Sequence, residues 1–223
     1  ADLINSTDLP FSSTLAVRFK DQAYFNAVKY ARALASLIPD LNGRVHEHSE
    51  VVSIQIGKVC TVTTTHGRVH ARYLVVATKV PAAPLLGRIT YAALEYPTTS
   101  YIVAMKYSGD LGGMYISPDE SHYSLLPIQT PQGKLLLVGG ESHIPGTHRA
   151  EPRFERLAQY AHQNFGTPPP IYKWKAMDYM AYDNLPLIGP LYPWSENAFF
   201  VGGFKKWGLN LSMVAANLVT QAI

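Results

Sequence analysis

Two short, uninterrupted apolar runs constrain this 223-residue chain more than any other feature. One is Tyr73-Leu74-Val75-Val76-Ala77 and the other Ala198-Phe199-Phe200-Val201. Runs of this length without polar alternation mark strands covered on both faces, as in parallel sheets. Between them, residues 100–107, 113–117, 123–128 and 134–139 read as short strands. Turns at Asp110–Gly112, Pro118-Asp119 and Pro131–Gly133 separate these strands, which is the rhythm of an antiparallel sheet. Pairing of the two apolar strands would make the antiparallel block an insertion in a parallel-sheet domain. The expected class is α+β (a mixed α/β pattern), an antiparallel or mixed sheet with flanking helices plus a smaller parallel sheet.

Helical spacing appears three times. Over Gln22–Ile38 the apolar positions are Phe25, Val28, Ala31, Leu34 and Leu37-Ile38, stopped by Pro39 and Asn42-Gly43. Glu151–Phe165 is a second helix, ended by Pro168-Pro169-Pro170. Leu211–Ile223 is a third. Val45–Ile56 reads as extended, 59–65 and 68–71 as a hairpin about His66-Gly67, and Ile171–Met177 as a further strand. Residues 1–19 carry no clear element.

Charged residues are 16% and hydrophobic residues 47% of the chain, where soluble domains usually carry roughly 25% charge. Such a chain buries a sizeable core and is not disordered. Its net charge of +3 comes with no basic run, so a nucleic-acid surface is not expected. The lone cysteine, Cys60, rules out an internal disulfide and a cysteine-rich metal centre. It sits in an alternating run, as a packed strand residue would. No apolar window is long enough to span a membrane, since Lys79 and prolines interrupt the region 74–87. No signal peptide is visible, and a cytoplasmic location is the expectation.

A search for chemistry finds no G-x-G-x-x-G, no phosphate-binding P-loop and no G-x-S-x-G elbow. Gly202-Gly203 and Gly208 lie between a strand and a helix. Backbone N–H groups and a helix dipole at such a place hold an anion or a polar ring oxygen. A tight turn needing small residues is the alternative. His46 and His48 would share a strand face and His66 and His70 flank a turn, but no carboxylate completes a metal set. No metal site is expected.

Three stretches together resemble the D-amino-acid-oxidase-like family of FAD-dependent oxidoreductases. The first runs from Ala16-Val17-Arg18-Phe19 through the Leu34–Ile38 helix end to Val45-His46-Glu47-His48 and Val51-Val52-Ser53-Ile54. The second is a T-x-x-G-x-x-x-A hairpin leading into Tyr73-Leu74-Val75-Val76-Ala77-Thr78. The third combines D-x-x-P-x-I-G at 183–189 with Phe200-Val201-Gly202-Gly203-Phe204-Lys205-Lys206-Trp207-Gly208. That string is most similar to the subgroup in which a Rieske iron–sulfur domain follows the flavoprotein. The resemblance covers about 200 residues and lacks the family's N-terminal βαβ unit, which supplies the pyrophosphate site.

The resemblance implies FAD in the intact parent, and hydride transfer to it from a substrate C–H beside an amine nitrogen. It implies cofactor contacts at Val51 and Val52 near the adenine end. It implies others at Ala77, Thr78, Gly202, Gly203, Phe204, Trp207, Gly208 and Leu209, with the turn facing the flavin pyrimidine oxygen. Asp178-Tyr179 stand where amino-acid oxidases of the family carry Arg-Pro. A substrate carboxylate would be repelled there, so a simple amino acid fits poorly. Asp178, Tyr179 and His143 are the substrate-side candidates, against readings as a hydrogen-bonding turn residue, a core residue and a loop residue. No catalytic residue is assigned. Lys79 also replaces a family glycine.

The expected organisation is residual flavin domain over 1–78, antiparallel substrate-type domain over 79–180, and a strand and helix returning to the flavin domain over 181–223. The chain is expected to be a fragment, inactive and without bound FAD by itself. Its expected partners are the missing N-terminal flavin-binding segment, a C-terminal Rieske [2Fe-2S] domain and a small-molecule substrate. Strand edges at 45–48 and 73–77, left uncovered, are expected to pair in a homodimer. The alternative is a non-catalytic binding module on the same sheet.

Overall fold

The computed structural model describes residues 1–79, 91–119, 122–147 and 151–223, Glu151 by its backbone only. Residues 80–87 of the interrupted apolar region lie outside this set. Helices and mostly antiparallel sheets make a mixed α+β protein. The chain divides into two compact units. Residues 1–22 and 97–177 form one, and residues 23–96 and 178–223 the other. Residues 1–22 therefore group with the antiparallel block rather than with the segment that follows them.

In the first unit, β1 (Asp2–Ile4) and β2 (Ala16–Arg18) form an antiparallel pair that the sequence pattern does not announce. The main sheet runs in the order β11 (Tyr172–Ala181), β7 (Glu95–Lys106), β10 (Gly133–His143), β9 (Ser124–Thr130), β8 (Tyr115–Ile116). The pairs β7–β10, β10–β9 and β9–β8 are antiparallel. Alternation puts Tyr101, Val103 and Met105 of β7 into the core beside Leu136 and Val138 of β10. Leu157 and Ala161, one helical turn apart on α2 (Glu151–Phe165), close over them.

An ion pair fastens α2 to β10. Glu141 stands at a break in register between Gly140 and His143, with φ of 55°. Its carboxylate accepts hydrogen bonds from Arg156 Nε at 2.9 Å, Arg156 Nη2 at 2.6 Å and the Tyr123 hydroxyl at 3.0 Å. Arg153 Nη1 donates to the Glu141 carbonyl at 2.9 Å. Burial pushes the Glu141 carboxyl up, but the donors outweigh it and hold it below its usual value.

The second unit is built on the two apolar runs. β6 (Leu74–Val76) and β13 (Ala198–Gly202) pair in parallel, Leu74 opposite Ala198 and Val76 opposite Phe200. β12 (Leu187–Pro190) adds antiparallel to β13. Tyr91 stacks on Phe200 at 3.7 Å between ring centroids, and its hydroxyl donates to the Leu191 carbonyl at 3.1 Å. A separate antiparallel sheet holds β3 (Val51–Gln55), β4 (Cys60–Thr64) and β5 (Arg68–Ala71). Cys60 is fully buried at its start. Asn197 Nδ2 donates to the carbonyls of Gly57, Arg72 and Lys58 at 2.9, 2.9 and 3.3 Å. That amide ties the hairpin ends to β13.

Two helices complete this unit. α3 (Gly208–Ala222) buries Ala215 and Val219 against Phe199 and Val201. α1 (Ala27–Leu37) buries nothing, although it carries the expected apolar stripe. It begins at residue 27 rather than 22 because Asn26 caps it, accepting from the Lys29 N–H at 3.0 Å.

Residues 45–48 form no strand. Residues 47–48 are a turn with His48 at φ 54°, so His46 and His48 share no strand face and no 45–48 edge exists to pair. Among the described residues no group of side chains is placed to hold a metal. No described helix is long and apolar enough to cross a membrane.

The core makes a direct prediction. Leu136→Ala empties a fully buried position and is expected to cost ~2–5 kcal/mol of unfolding free energy in urea. Leu3→Ala, on an exposed side chain, is expected to change it by less than ~0.5 kcal/mol.

Candidate functional site

Parallel pairing sets where the site lies. Adjacent parallel strands end on the same side, and their carboxyl ends leave a crevice open to a ligand. β6 runs out into Ala77-Thr78 and β13 into Gly202-Gly203. A cleft of about 340 Å³ opens there, lined by both exits. Gly208 and Leu209 at the head of α3 line it as well, as do Lys79, Phe204, Lys205 and Lys206. Trp207 precedes α3 without a side-chain cap. The Asn210 and Leu211 N–H groups of this 15-residue helix donate to the Trp207 carbonyl at 3.1 and 3.0 Å, so the N–H groups of Gly208 and Leu209 and the positive dipole end are those available to an acceptor in the cleft.

The loop between strand and helix is tightly specified. Gly203 has φ of 63°, and Lys205 and Lys206 follow at 50° and 71°. Left-handed conformations outside glycine cost of order 1–3 kcal/mol each, so this loop holds strain. Its fastenings are the Lys205 N–H on the Tyr179 carbonyl at 3.2 Å, the Trp207 N–H on the Phe204 carbonyl at 2.8 Å, and Lys205 Nζ on Asn184 Oδ1. A Cβ on Gly203 would stand 3.1 Å from Leu187 Cγ and 3.3 Å from Ala181 Cβ, in a backbone region side chains rarely enter. The tight-turn requirement and the cleft-lining position coincide at this residue.

Asp178 and Tyr179 line the same cleft. Lys206 is drawn down by desolvation, with Asp178 pulling it up. The residue as a whole is exposed, so water screens this effect and it carries no stability of its own.

Beneath the turn lies Glu95, 2% exposed. Its Oε2 is 3.4 Å from the place a Gly203 Cβ would take. Neither carboxylate oxygen has a hydrogen-bond partner among the described residues. Burial raises its pKa to about 7, with the Gly203 N–H pulling the other way without completing a bond. Burial also raises neighbouring Tyr91 to about 12, helped by Tyr192 and Glu95.

Of the residues singled out from the sequence, Ala77, Thr78, Gly202, Gly203, Phe204, Gly208, Leu209, Asp178 and Tyr179 meet in this cleft. Trp207 adjoins it without lining it. Val51 and Val52 are exposed on β3, in the other sheet of the same unit. His143 belongs to the first unit, where it stacks on Tyr101 at 5.6 Å. Lys205, Lys206 and Glu95 were not singled out. The two lysines sit inside the quoted glycine-rich string. Glu95 carries only a faint signal, one acid between Leu94 and Tyr96.

A family model described as DAO, FAD dependent oxidoreductase, matches residues 9–222. The chain belongs to this family. YhfW of Bacillus subtilis (strain 168), described as a Rieske 2Fe-2S iron-sulfur protein, is 32% identical over all of this chain. The chain spans 44% of that relative. Among solved structures, glycine oxidase from Geobacillus kaustophilus superposes with a TM-score of 0.70 at 22% identity, over 86% of this chain and 52% of that one. L-proline dehydrogenase from P. horikoshii gives 0.68 at 18% identity, over 87% and 55%. At these identities the two structures establish the DAO fold. The chain spans about half their length.

The raised acid at Glu95 predicts a pH signature. A carboxyl whose folded pKa lies above its unfolded value of 4.5 favours the folded state while protonated, and that advantage is lost as pH rises towards about 7. Glu95→Gln is therefore expected to raise the melting temperature at about pH 8 and to change it little at about pH 5. Thermal melts of both proteins across that range check it.

Proposed function

We propose that this chain supplies the substrate-type sheet and the C-terminal flavin-facing elements of an FAD-dependent oxidoreductase. The reading rests on one observation above all. The cleft lies at the carboxyl ends of parallel β6 and β13, and the uncapped head of α3 opens onto it. That donor set suits the electron-rich pyrimidine edge of a flavin ring, with Gly202, Gly203 and Gly208 presenting backbone close to it and Ala77-Thr78 across from it. FAD, when bound, supplies the two-electron acceptor for hydride transfer from a substrate carbon.

The chain's own residues bind and orient. N–H groups of the Gly203 turn and of α3 favour negative charge on a ring oxygen. Asp178 and Tyr179 stand on the substrate side. The carboxylate of Asp178 attracts an amine and repels a carboxylate, which favours an amine-bearing substrate without a free acid group. Lys206 beside it balances this charge. His143 is a further substrate-side candidate in the first unit.

The second unit exposes much apolar surface: Val28, Leu34 and Leu37 on α1, Val75 on β6, and Met213 and Leu218 on α3. In this reading the parent's N-terminal flavin-binding segment covers those faces and brings the pyrophosphate grip. A Rieske [2Fe-2S] domain in the parent, consistent with YhfW, would pass electrons onward. A homodimer through the β6 edge is the arrangement expected when that segment is absent. The single cysteine fits a cytoplasmic location.

The experiment is comparative. The 223-residue chain is expected to purify colourless and without activity, and the whole parent to purify yellow with stoichiometric FAD. Gly203→Val in the parent should lower flavin content, since a Cβ there strains the turn. A parent devoid of flavin would sink the proposal, and a yellow 223-residue chain would sink the assignment of the missing grip.

A further inference from the structure

Glu95 is a buried acid with no hydrogen-bond partner among the described residues, placed against the Gly203 turn that lines the cleft. Unpaired buried carboxyls are costly, and such groups persist where they are used. Glu95 does not line the cleft, so it acts through what it touches. Gly203 is that neighbour, and Gly203 does line it. Its N–H faces the Glu95 carboxylate without completing a hydrogen bond. The Gly203 backbone thus adjoins both the buried acid and the cleft.

We propose that Glu95 is a positioning residue of the cleft, whose carboxylate and an acceptor atom of the bound ligand compete for the Gly203 N–H. Ionised Glu95 draws the N–H inward and adds negative charge behind the turn. Protonated Glu95 releases the N–H to the ligand. Binding an oxygen acceptor therefore takes up a proton at Glu95 whenever the acid is ionised beforehand. The proposal rests on the flavin reading only for the ligand's identity. The coupling between Glu95 and Gly203 belongs to this chain alone.

The other titratable groups around Glu95 do not mimic it. Tyr91 is held neutral, with Tyr192 behind it. Lys205, Lys206, Asp178 and Tyr179 stand on the cleft side of the turn. Burial and the Gly203 N–H are what move Glu95.

The test uses the 223-residue chain, labelled for NMR, with riboflavin as the probe. The Gly203 amide resonance is expected to shift with pH in step with the Glu95 carboxyl carbon, and to stay flat in Glu95→Gln. Riboflavin affinity in the wild type should fall by up to about tenfold between pH 6 and pH 8, and that fall should vanish in the variant. A Gly203 resonance that ignores Glu95 in the wild type overturns the proposal, and this measurement needs no variant to fold. So does the same pH dependence of riboflavin affinity in both proteins. Should riboflavin bind at neither pH, the Gly203 titration decides the coupling by itself, and the flavin reading of the cleft is decided by the flavin content of the whole parent.

Discussion

The cleft of this molecule depends on the parallel ladder between β6 and β13. Its strands come from distant parts of the chain, so the pairing closes a long loop at an entropic cost that grows slowly with loop length. The return comes from burial. Val76, Ala198, Phe199, Phe200 and Val201 leave water together, and apolar area is worth about 25 cal/mol per Å². Tyr91 stacked on Phe200 and Asn197 bonded to three carbonyls hold the ladder from its two ends. Without this pairing, Ala77-Thr78 and Gly202-Gly203 would share no crevice.

The two units spend their sequence differently. The antiparallel unit follows alternation closely, with a core filled by β-strand side chains and the buried face of α2. The unit carrying the cleft stores local conflict. Three positive φ angles fall within four residues at 203–206, and an unpaired acid lies directly beneath. Strain and buried polar groups of this kind gather at functional sites because packing elsewhere can hold them. The exposed apolar faces of α1 and α3 lie in the same unit.

Much of this was legible along the chain. Both buried strands, the β4–β5 hairpin and the three helices follow from periodicity and punctuation, and the glycine-rich string with its flanking strand carries the family likeness. What the chain hid had physical reasons. β1, β2 and β12 are three or four residues long, too short to show a period. Residues 45–48 have strand-like composition, but His48 in a left-handed turn breaks them. α1 has the stripe of a packed helix, yet it buries none of its residues, because amphipathicity signals a face to be covered and not that anything in this chain covers it.

Sequence by itself determined the elements and the chemistry they carry: two apolar strands, a Gly-Gly turn before a helix, and an Asp-Tyr pair. Residue identity settles those, since propensity and donor inventory are local properties. Only the tertiary structure decided which of these residues meet. It brought Asp178 and Tyr179 to the Gly203 turn, left Val51 and Val52 on another sheet, and set Glu95 under Gly203. The reason is that contact between residues distant in sequence is fixed by strand register and packing, which no single segment encodes.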